Sequence, residues 1–312
     1  DGLSSDYAGS SSDCRIELSR RRPEGAVMVE ILRSGAAVAM VDPIDGGRLI
    51  SLSLQGIELL GGDRPGLGLP TGWFHGCFPM VPYAGRLTNG QFIFDGITYA
   101  IPPNAGLDSG HGLVFDVPWS PDISLDPTHL VLTADLDARW PFGGRVEETF
   151  DLTEESLTIS LTVKNDERVM PAALGFHPWF RRDIGTGGPA TYFLRPGARY
   201  VPDMDGLPWV LCDDLGARPW DDVFTQLEDA PVICWPNGPT IRITSNAQTW
   251  IVYERSENAF CIEPITAPPN SLGTSKSAVV RPGVPLMLWM QFTWGLPEPQ
   301  DRVVVRSQTA RE

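Results

Sequence analysis

Apolar and polar residues alternate in many short segments of this 312-residue chain. The clearest case is residues 157–164 (Leu-Thr-Ile-Ser-Leu-Thr-Val-Lys), in which every second side chain is apolar. Successive side chains of a β-strand point to opposite faces, so this pattern predicts a strand with one buried and one solvated face. Residues 50–54 show the same alternation. Both segments indicate half-buried antiparallel sheet.

Turn residues separate the predicted strands. Residues 92–94 and 97–101 flank Asp95-Gly96, a dipeptide that tolerates the positive φ values of a tight turn, so these segments predict a β-hairpin. Further strands are predicted at residues 130–136, 146–152, 240–244, 250–253 and 287–294. The turn-rich stretch 196–222 is the longest irregular piece. Its length and its several Trp and Asp residues favour a functional loop.

No segment of helical length shows a sustained 3.6-residue apolar period bounded by caps. The 32 glycines and 29 prolines punctuate many short strands. Together these features predict an all-β fold, a large antiparallel β-sandwich or barrel with little helix. We expect one such domain over residues 15–305. Residues 1–14, rich in Ser, Gly and Asp, are expected to be a disordered or engineered tail, and residues 306–312 a C-terminal tail.

The formal net charge of −15 bears on the choice of partner. Nucleic acids and anionic membrane surfaces require a basic footprint, so neither is expected to bind this chain. No apolar run approaches the roughly 18 to 20 residues needed to span a bilayer. Nothing in the sequence distinguishes a monomer from a homodimer.

Five cysteines and four histidines are the residues that most often hold metals or form disulfides. An odd number of cysteines without a Cys-x-x-Cys spacing fits neither a disulfide framework nor a zinc site, so we expect free thiols in a reducing cytoplasm. The histidines are too scattered to show a metal-ligand spacing. Phosphate-loop and nucleophile-elbow motifs are also absent.

His177 lies in the run Gly-Phe-His-Pro-Trp-Phe, between a glycine and an aromatic cluster. On its own it fits an ordinary core histidine whose ring nitrogens are hydrogen-bonded. Glu263 lies in the apolar run Cys-Ile-Glu-Pro-Ile and favours a chemical role for His177, because a buried glutamate is costly unless it is paired or used.

Three further polar residues lie in predicted loops of this aromatic-rich chain: Arg86, His111 and Asp221. Taken singly, they are explained as an ion-pair partner, a turn residue and a solvated loop residue. Loops on a rigid scaffold are nonetheless where binding sites are usually built. Aromatic faces with a few polar groups around them suit the C–H faces and hydroxyls of a sugar, so a small-molecule sugar is the expected partner.

The motifs around these residues resemble, in order, those of the aldose 1-epimerase (galactose mutarotase) family. Arg86 precedes a Gly-aromatic-x-aromatic-x-Gly hairpin, and His111 begins a His-Gly segment followed by a tryptophan. His177 lies in the Gly-x-His-Pro-aromatic-Phe motif, Asp221 begins an Asp-x-x-Phe motif, and Glu263 resembles the family's catalytic glutamate. The resemblance spans residues 46–295.

The resemblance implies a β-supersandwich domain that interconverts the α and β anomers of a free hexose such as glucose or galactose. Carried over residue by residue, Glu263 would be the general base at the C1 hydroxyl and His177 the general acid at the ring oxygen. Arg86, His111 and Asp221 would bind the substrate. Acid–base ring opening of this kind requires no metal and no organic cofactor.

Two departures from the family pattern bear on the identity of the sugar. Gly85 stands where many members have Asn, and Phe115 stands where relatives often carry Arg. Two alternatives to the free-sugar enzyme also remain. One is a hexose 6-phosphate epimerase, for which Arg181-Arg182 would supply the basic pair. The other is a non-catalytic sugar-binding protein of the same fold.

Overall fold

The computed structural model describes residues 29–63, 69–122, 124–201 and 210–295. The predicted tails at 1–14 and 306–312 lie outside these ranges. Apart from two short 3₁₀ turns, Thr71–Trp73 and Thr88–Gly90, the regular structure in the described residues is β-strand.

In chain order the strands of the first half are β1 (Glu30–Ser34), β2 (Ala37–Asp42), β3 (Arg48–Leu54), β4 (Ile57–Glu58), β5 (Cys77–Met80), β6 (Arg86–Leu87), β7 (Gln91–Phe94), β8 (Ile97–Ala100), β9 (Ser109–Gly110), β10 (Ser120–Pro121), β11 (His129–Asp135), β12 (Arg145–Leu152) and β13 (Ser156–Lys164). Those of the second half are β14 (Met170–Ala172), β15 (Gly175–Arg181), β16 (Thr191–Phe193), β17 (Pro196–Val201), β18 (Val210–Cys212), β19 (Asp221–Leu227), β20 (Val232–Cys234), β21 (Thr240–Ser245), β22 (Thr249–Tyr253), β23 (Ala259–Ile265), β24 (Ala278–Val280) and β25 (Leu286–Gly295).

Two large sheets contain most of these strands. The larger, with 11 strands in the described residues, has the order β1-β2-β3-β5-β15-β23-β22-β19-β17-β18, with β4 beside β3. The smaller has eight described strands in the order β10-β11-β12-β13-β25-β21-β20-β16. The sheets pack face to face, as shown by the rings of Phe180 and Phe292, whose centres lie 5.6 Å apart. The predicted large antiparallel β-sandwich is confirmed, and it is a sandwich rather than a barrel.

Strand β13 shows how the sequence pattern produces this packing. Leu157, Ile159, Leu161 and Val163 are at most 1% exposed, whereas the residues between them are partly exposed. The strand lies between β12 and β25, so its apolar face covers the centre of the smaller sheet. The predicted half-buried strand is therefore confirmed, as are the other strands predicted from alternation.

The predicted hairpin is also present, as β7 and β8. Its turn residues, Asp95 and Gly96, have φ values of 51° and 75°, the left-handed conformation that the Asp-Gly pair tolerates.

Asp221 and Asp222 begin β19, so the prediction that residues 196–222 are irregular is wrong there, and it is also wrong at both β17 and β18. These strands pair with each other, and β17 also pairs with β19, so they extend the larger sheet. The sequence of β17 begins Pro-Gly and lacks a regular apolar alternation, because near this end of the sheet its residues are only partly covered. Pairing with neighbouring strands, rather than local pattern, determines the strand here.

Strands β15 and β23 lie in the middle of the larger sheet, and their residues are buried on both faces except for Arg181 at the end of β15. One face, which includes Phe176 and Phe180, packs in the core between the sheets. The opposite face is covered by loops and carries the candidate site.

No helix within the described ranges is long and apolar enough to cross a membrane.

The burial of β13 leads to a stability prediction. Leu161→Ala should lower the free energy of unfolding by about 2–5 kcal/mol, because it leaves a cavity in a close-packed core. Thr162→Ala, on the partly exposed face of the same strand, should change it by about 0.5 kcal/mol or less. Urea unfolding of both variants measures the difference. Equal losses would contradict the assigned faces of the strand.

Candidate active site

The pairing of β15 with β23 fixes the centre of the candidate site. Trp179 lies opposite Cys261 in this antiparallel pair. Two residues along each strand, the same register places His177 opposite Glu263, so both side chains project from one face of the sheet. The Nε2 atom of His177 lies 3.4 Å from Oε1 of Glu263. The two residues predicted to exchange protons with the substrate are thus brought together.

Burial controls the charge of this pair. His177 is 5% exposed and Glu263 is 1% exposed, and His177 Nδ1 and Glu263 Oε2 have no hydrogen-bond partner in the described structure. Burial raises the pKa of Glu263 well above its usual value, and the negative charge of Asp221 raises it further. Burial also lowers the pKa of His177 well below its usual value, and the neighbouring His111 ring and the positive charge of Arg48 act in the same direction. Without a substrate, both shifts therefore favour a protonated carboxyl beside a neutral imidazole.

Aromatic rings fix the plane of the His177 imidazole. Phe78, opposite His177 on β5, is stacked against it with ring centres 4.6 Å apart, and Trp179 is stacked at 5.4 Å. The ring of His111 meets it edge-on at 5.0 Å. Behind Phe78 lies the fully buried Arg48, whose guanidinium carbon is 4.8 Å from the Phe78 ring centre. The imidazole is therefore held by packing.

His111 is oriented by its backbone and by a sulfur contact. It has a φ of 58°, and its amide donates a hydrogen bond of 2.7 Å to the carbonyl of Gly85. Its Nδ1 atom lies 3.0 Å from Sδ of Met80, and its ring packs edge-on against Trp73 at 4.4 Å. Burial, together with the positive charge of Arg86, lowers the pKa of His111 to about 3. His111 is therefore neutral near pH 7.

Arg86 and Asp221 supply the charged groups of the site. Arg86, on β6, is exposed, with its guanidinium carbon 5.8 Å from the ring centre of Trp73. Asp221, the first residue of β19, has Oδ2 3.7 Å from Nε of Arg255. Burial raises the pKa of Asp221, while the charges of Arg255 and Arg86 act in the opposite direction.

All five residues predicted from the sequence line one pocket of about 670 Å³. Its lining also includes aromatic side chains and an amide, namely Trp73, Phe74, Trp179, Tyr253 and Asn270. A pocket of this size, with apolar walls and a few convergent polar groups, is typical of small-molecule sites.

Tyr253 and Arg255 are among the pocket residues that were not predicted from the sequence. Tyr253 ends β22, where the sheet register places it between Asp221 and Cys261, and its ring packs edge-on against Trp179 at 5.6 Å. The alternation of β22 predicts that Tyr253 and Ile251 share a face. Nothing in the sequence indicates which strands lie beside them.

Gly85, which stands where many family members have Asn, has a steric reason. Gly85 has a φ of 67°, and a Cβ atom built on it would lie 2.5 Å from Cγ of Pro269, closer than carbon atoms approach. Any larger residue at position 85, including the Asn of many family members, would require Pro269 to move. The pocket wall here is therefore formed by a glycine–proline contact.

Phe115, which stands where relatives often carry Arg, lies in the wall behind the site. Phe115 is 2% exposed, and its ring lies 5.9 Å from that of Phe78 and 6.2 Å from that of Trp73. Its backbone carbonyl is 3.5 Å from a guanidinium nitrogen of Arg48. Arg48, a buried arginine of β3, therefore lies close to the position at which relatives often carry Arg.

Arg181 and Arg182 do not line the pocket that contains His177. They line a second cavity of about 460 Å³, together with His75. Arg182 donates hydrogen bonds to the carbonyls of Ser256 and Glu254. The basic pair predicted for a phosphorylated sugar, Arg181-Arg182, is thus placed outside this pocket.

The predicted free thiols are present at Cys77, Cys212, Cys234 and Cys261, the four cysteines in the described residues. Cys14 lies outside the described residues. Cys77 packs in the core between the sheets, whereas Cys261 projects from the face that carries the site. Burial raises the pKa of both Cys77 and Cys261 well above the usual value for a thiol.

Solved structures show the class of fold. The chain is similar to a galactose mutarotase-like protein from Clostridium acetobutylicum, with a TM-score of 0.71 and 16% identity over 86% of this chain and 95% of that one. It is also similar to galactose 1-epimerase from Lactobacillus acidophilus, with a TM-score of 0.67 and 16% identity over 85% of this chain and 93% of that one. The fold is therefore galactose mutarotase-like.

A sequence model of the aldose 1-epimerase family matches residues 30–186, about half of the chain. The chain belongs to the aldose 1-epimerase family. Among curated proteins, it is 29% identical over 120 residues to the uncharacterized protein YphB of Escherichia coli K12. That match covers 38% of this chain and 41% of YphB.

The contact of Gly85 with Pro269 leads to a prediction about the pocket wall. Gly85→Ala should lower the free energy of unfolding, because its Cβ would overlap the proline ring and its φ is unfavourable for alanine. In a Pro269→Gly background the cost of Gly85→Ala should be smaller by about 1 kcal/mol or more. Urea unfolding of the two single variants and the double variant gives this coupling energy. A coupling near zero would contradict the assigned contact.

Proposed function

We propose that this chain is an aldose 1-epimerase, which interconverts the α and β anomers of a free hexose. The observation that carries the proposal is the buried pair of His177 and Glu263, 3.4 Å apart, in a pocket with aromatic walls. Membership of the aldose 1-epimerase family supports the same reaction. A cytoplasmic location remains a prediction from the free thiols.

The mechanism requires one proton to be removed and one to be delivered at neighbouring oxygens. The Glu263 carboxylate takes the proton of the C1 hydroxyl, and the His177 imidazolium gives a proton to the ring oxygen as the bond between C1 and that oxygen breaks. The open-chain aldehyde rotates about its C1–C2 bond. The same two groups, with their roles reversed, then close the ring on the other carbonyl face.

The pair holds one proton throughout this cycle. Before ring opening the proton lies on His177, and afterwards the carboxyl of Glu263 carries one while the imidazole is neutral. The second arrangement is the one that burial favours without a substrate. A C1 hydroxyl that donates a hydrogen bond to Glu263 stabilises its carboxylate, so substrate binding favours transfer of the proton to His177 across the 3.4 Å contact.

The remaining pocket residues are assigned to substrate binding. Neutral His111 can donate or accept a hydrogen bond at the ring oxygen or a hydroxyl. Arg86 and Asp221 form charge-assisted hydrogen bonds with hydroxyl groups. The rings of Trp73 and Tyr253 offer apolar surface to the C–H faces of the sugar.

The position of Arg181 and Arg182 removes the support that this pair would give to a phosphorylated substrate. Both residues line the second cavity, and the donors of Arg182 are used by backbone carbonyls. A non-catalytic sugar-binding protein would not require a buried acid paired with a base. The pair of Glu263 and His177 therefore supports an enzyme over a binding protein.

Substitution of the acid–base pair tests this proposal. Glu263→Gln and His177→Asn should each lower the rate of anomer exchange by about 10²-fold or more, the usual scale for loss of a general acid or base. Magnetisation-transfer NMR measures exchange of glucose, galactose and glucose 6-phosphate directly.

Two matched variants serve as controls for these substitutions. Glu148→Gln alters another buried glutamate, on β12, and His129→Asn alters a histidine paired with Asp151 on the smaller sheet. Both should exchange anomers at the wild-type rate. Wild-type exchange no faster than in buffer, for all three sugars, would contradict the enzymatic proposal. A fully active Glu263→Gln variant would contradict the mechanism.

The pH dependence of kcat/KM should report the one-proton pair. Its plateau should extend from the lowered pKa of His177 to the raised pKa of Glu263, because the pair gains a second proton below this range and loses its only proton above it. Asp221→Asn removes a negative charge that raises the pKa of Glu263, so the alkaline limb should move to lower pH. An alkaline limb that does not move would contradict this assignment.

Asp222→Asn is the matched control for the pH measurement. Its carboxylate is the next in the sequence, but Oδ1 of Asp222 lies 3.0 Å from a guanidinium nitrogen of Arg199. The variant should leave the alkaline limb in place.

A further inference from the structure

Cys261 lies beside the proposed acid–base pair, on the same face of β23 as Glu263. The register that places it opposite Trp179 makes it a diagonal neighbour of His177. His177, Cys261 and Glu263 each offer one ligand atom, and these three atoms lie within 4.8 Å of one another. All three residues are at most 5% exposed. The structure thus assembles nitrogen, sulfur and oxygen donors at one buried point.

We propose that His177, Cys261 and Glu263 bind Zn²⁺, and that the bound metal inhibits the enzyme by occupying both of its proton-transfer groups. The inhibition rests on the proposed function, whereas the binding does not. The site is thus a regulatory one, and the reaction itself proceeds without metal.

The distances fit a tetrahedral zinc ion. With Zn–N and Zn–O bonds of about 2.1 Å, the nitrogen and oxygen ligands of a tetrahedral site are about 3.4 Å apart. Nε2 of His177 and Oε1 of Glu263 have this separation, 3.4 Å, in the absence of metal. A thiolate at about 2.3 Å from zinc would lie about 3.6 Å from each of the other two ligands. The Sγ atom of Cys261, within 4.8 Å, would therefore move by about 1 Å or slightly more, which side-chain rotation can supply.

A second observation points to a cation at this place. Oε2 of Glu263 is buried and has no hydrogen-bond partner in the described structure. Such an atom is costly unless a proton or a metal satisfies it. The carboxylate of Asp221, which lines the same pocket, also favours a cation there. Because His177 and Glu263 line the pocket, an ion can reach them from solvent.

The donor set selects the kind of metal. Imidazole and thiolate ligands favour Zn²⁺, whereas Mg²⁺ and Ca²⁺ prefer sites made only of oxygen atoms. On binding, the Cys261 thiol and the Glu263 carboxyl release their protons to solvent, and no oxidation or reduction is involved.

Cys77 provides a matched control in the same sheet. It is buried like Cys261, but it lies opposite Pro178 and packs in the core between the sheets. Its thiol therefore faces away from the pocket, and Cys77→Ala should leave metal binding unchanged.

Two measurements on the wild type, Cys261→Ala and Cys77→Ala test the site. Titration with Co²⁺ as a probe should give thiolate-to-cobalt charge-transfer absorption in the wild type and in Cys77→Ala, but none in Cys261→Ala. Zn²⁺ should inhibit anomer exchange, and Cys261→Ala should raise the half-inhibitory Zn²⁺ concentration by ~10-fold or more, because it removes the softest ligand. Mg²⁺ at the same concentrations should not inhibit, and a chelator should restore the rate.

The outcomes separate this proposal from the proposed function. Charge-transfer absorption that depends on Cys261 supports the metal site, whether or not the wild type exchanges anomers. A wild type that exchanges no sugar would contradict only the epimerase assignment and the inhibition. An active wild type with no cobalt–thiolate absorption would overturn the metal site alone. Equal inhibition by Zn²⁺ of the wild type and Cys261→Ala would overturn it as well. Thermal unfolding of each variant confirms that a lost signal comes from a folded protein.

Discussion

The pairing of β15 with β23 is the constraint on which the site depends. Both strands are buried on two faces, one against the smaller sheet and the other beneath the pocket. Because side chains alternate along a strand, a slip of one residue in β15 would turn His177 into the core between the sheets and Phe176 into the pocket. The penalty for burying an imidazole among phenylalanines therefore fixes the register that places His177 opposite Glu263.

The buried pair of His177 and Glu263 avoids a large desolvation penalty when it holds one proton. Two charged groups in a dry pocket would carry a large desolvation penalty, whereas a protonated carboxyl beside a neutral imidazole carries no net charge. Arg48 reinforces this state from behind the site. It is fully buried, its Nε atom lies 2.7 Å from Oδ2 of Asp45, and its positive charge disfavours an imidazolium at His177. In the proposed reaction, the pair that burial keeps neutral exchanges this proton with a bound hydroxyl.

The fold was predictable where each strand carries its own signal. The alternation of β13 and the Asp-Gly turn between β7 and β8 were sufficient, because burial of one strand face and the positive φ of a tight turn are local requirements. Strands β17 and β18 were missed, since their conformation depends on pairing at the end of the larger sheet. In the site, His177 and Glu263 could be named from their unusual apolar surroundings and from the family resemblance. The closeness of Cys261 and Tyr253 could not, because it follows from strand order and register, which no local pattern records.

The wall at Gly85 shows that the sheet and the loops position different groups of the pocket. The strands fix His177 and Glu263, so the position of the proposed acid–base pair is set by the sheet. The opposite wall comes from loops, where Pro269 occupies the space that a side chain at position 85 would need. The next residue, Asn270, lines the same pocket, and its side-chain oxygen accepts a hydrogen bond of 3.0 Å from the amide of Thr88. An amide side chain is thus present at this wall, but it comes from the loop after β23 rather than from the residue before Arg86. Loops can exchange such contacts without disturbing the sheet, so the proposed acid–base pair can stay in place while the loop groups that line the pocket change.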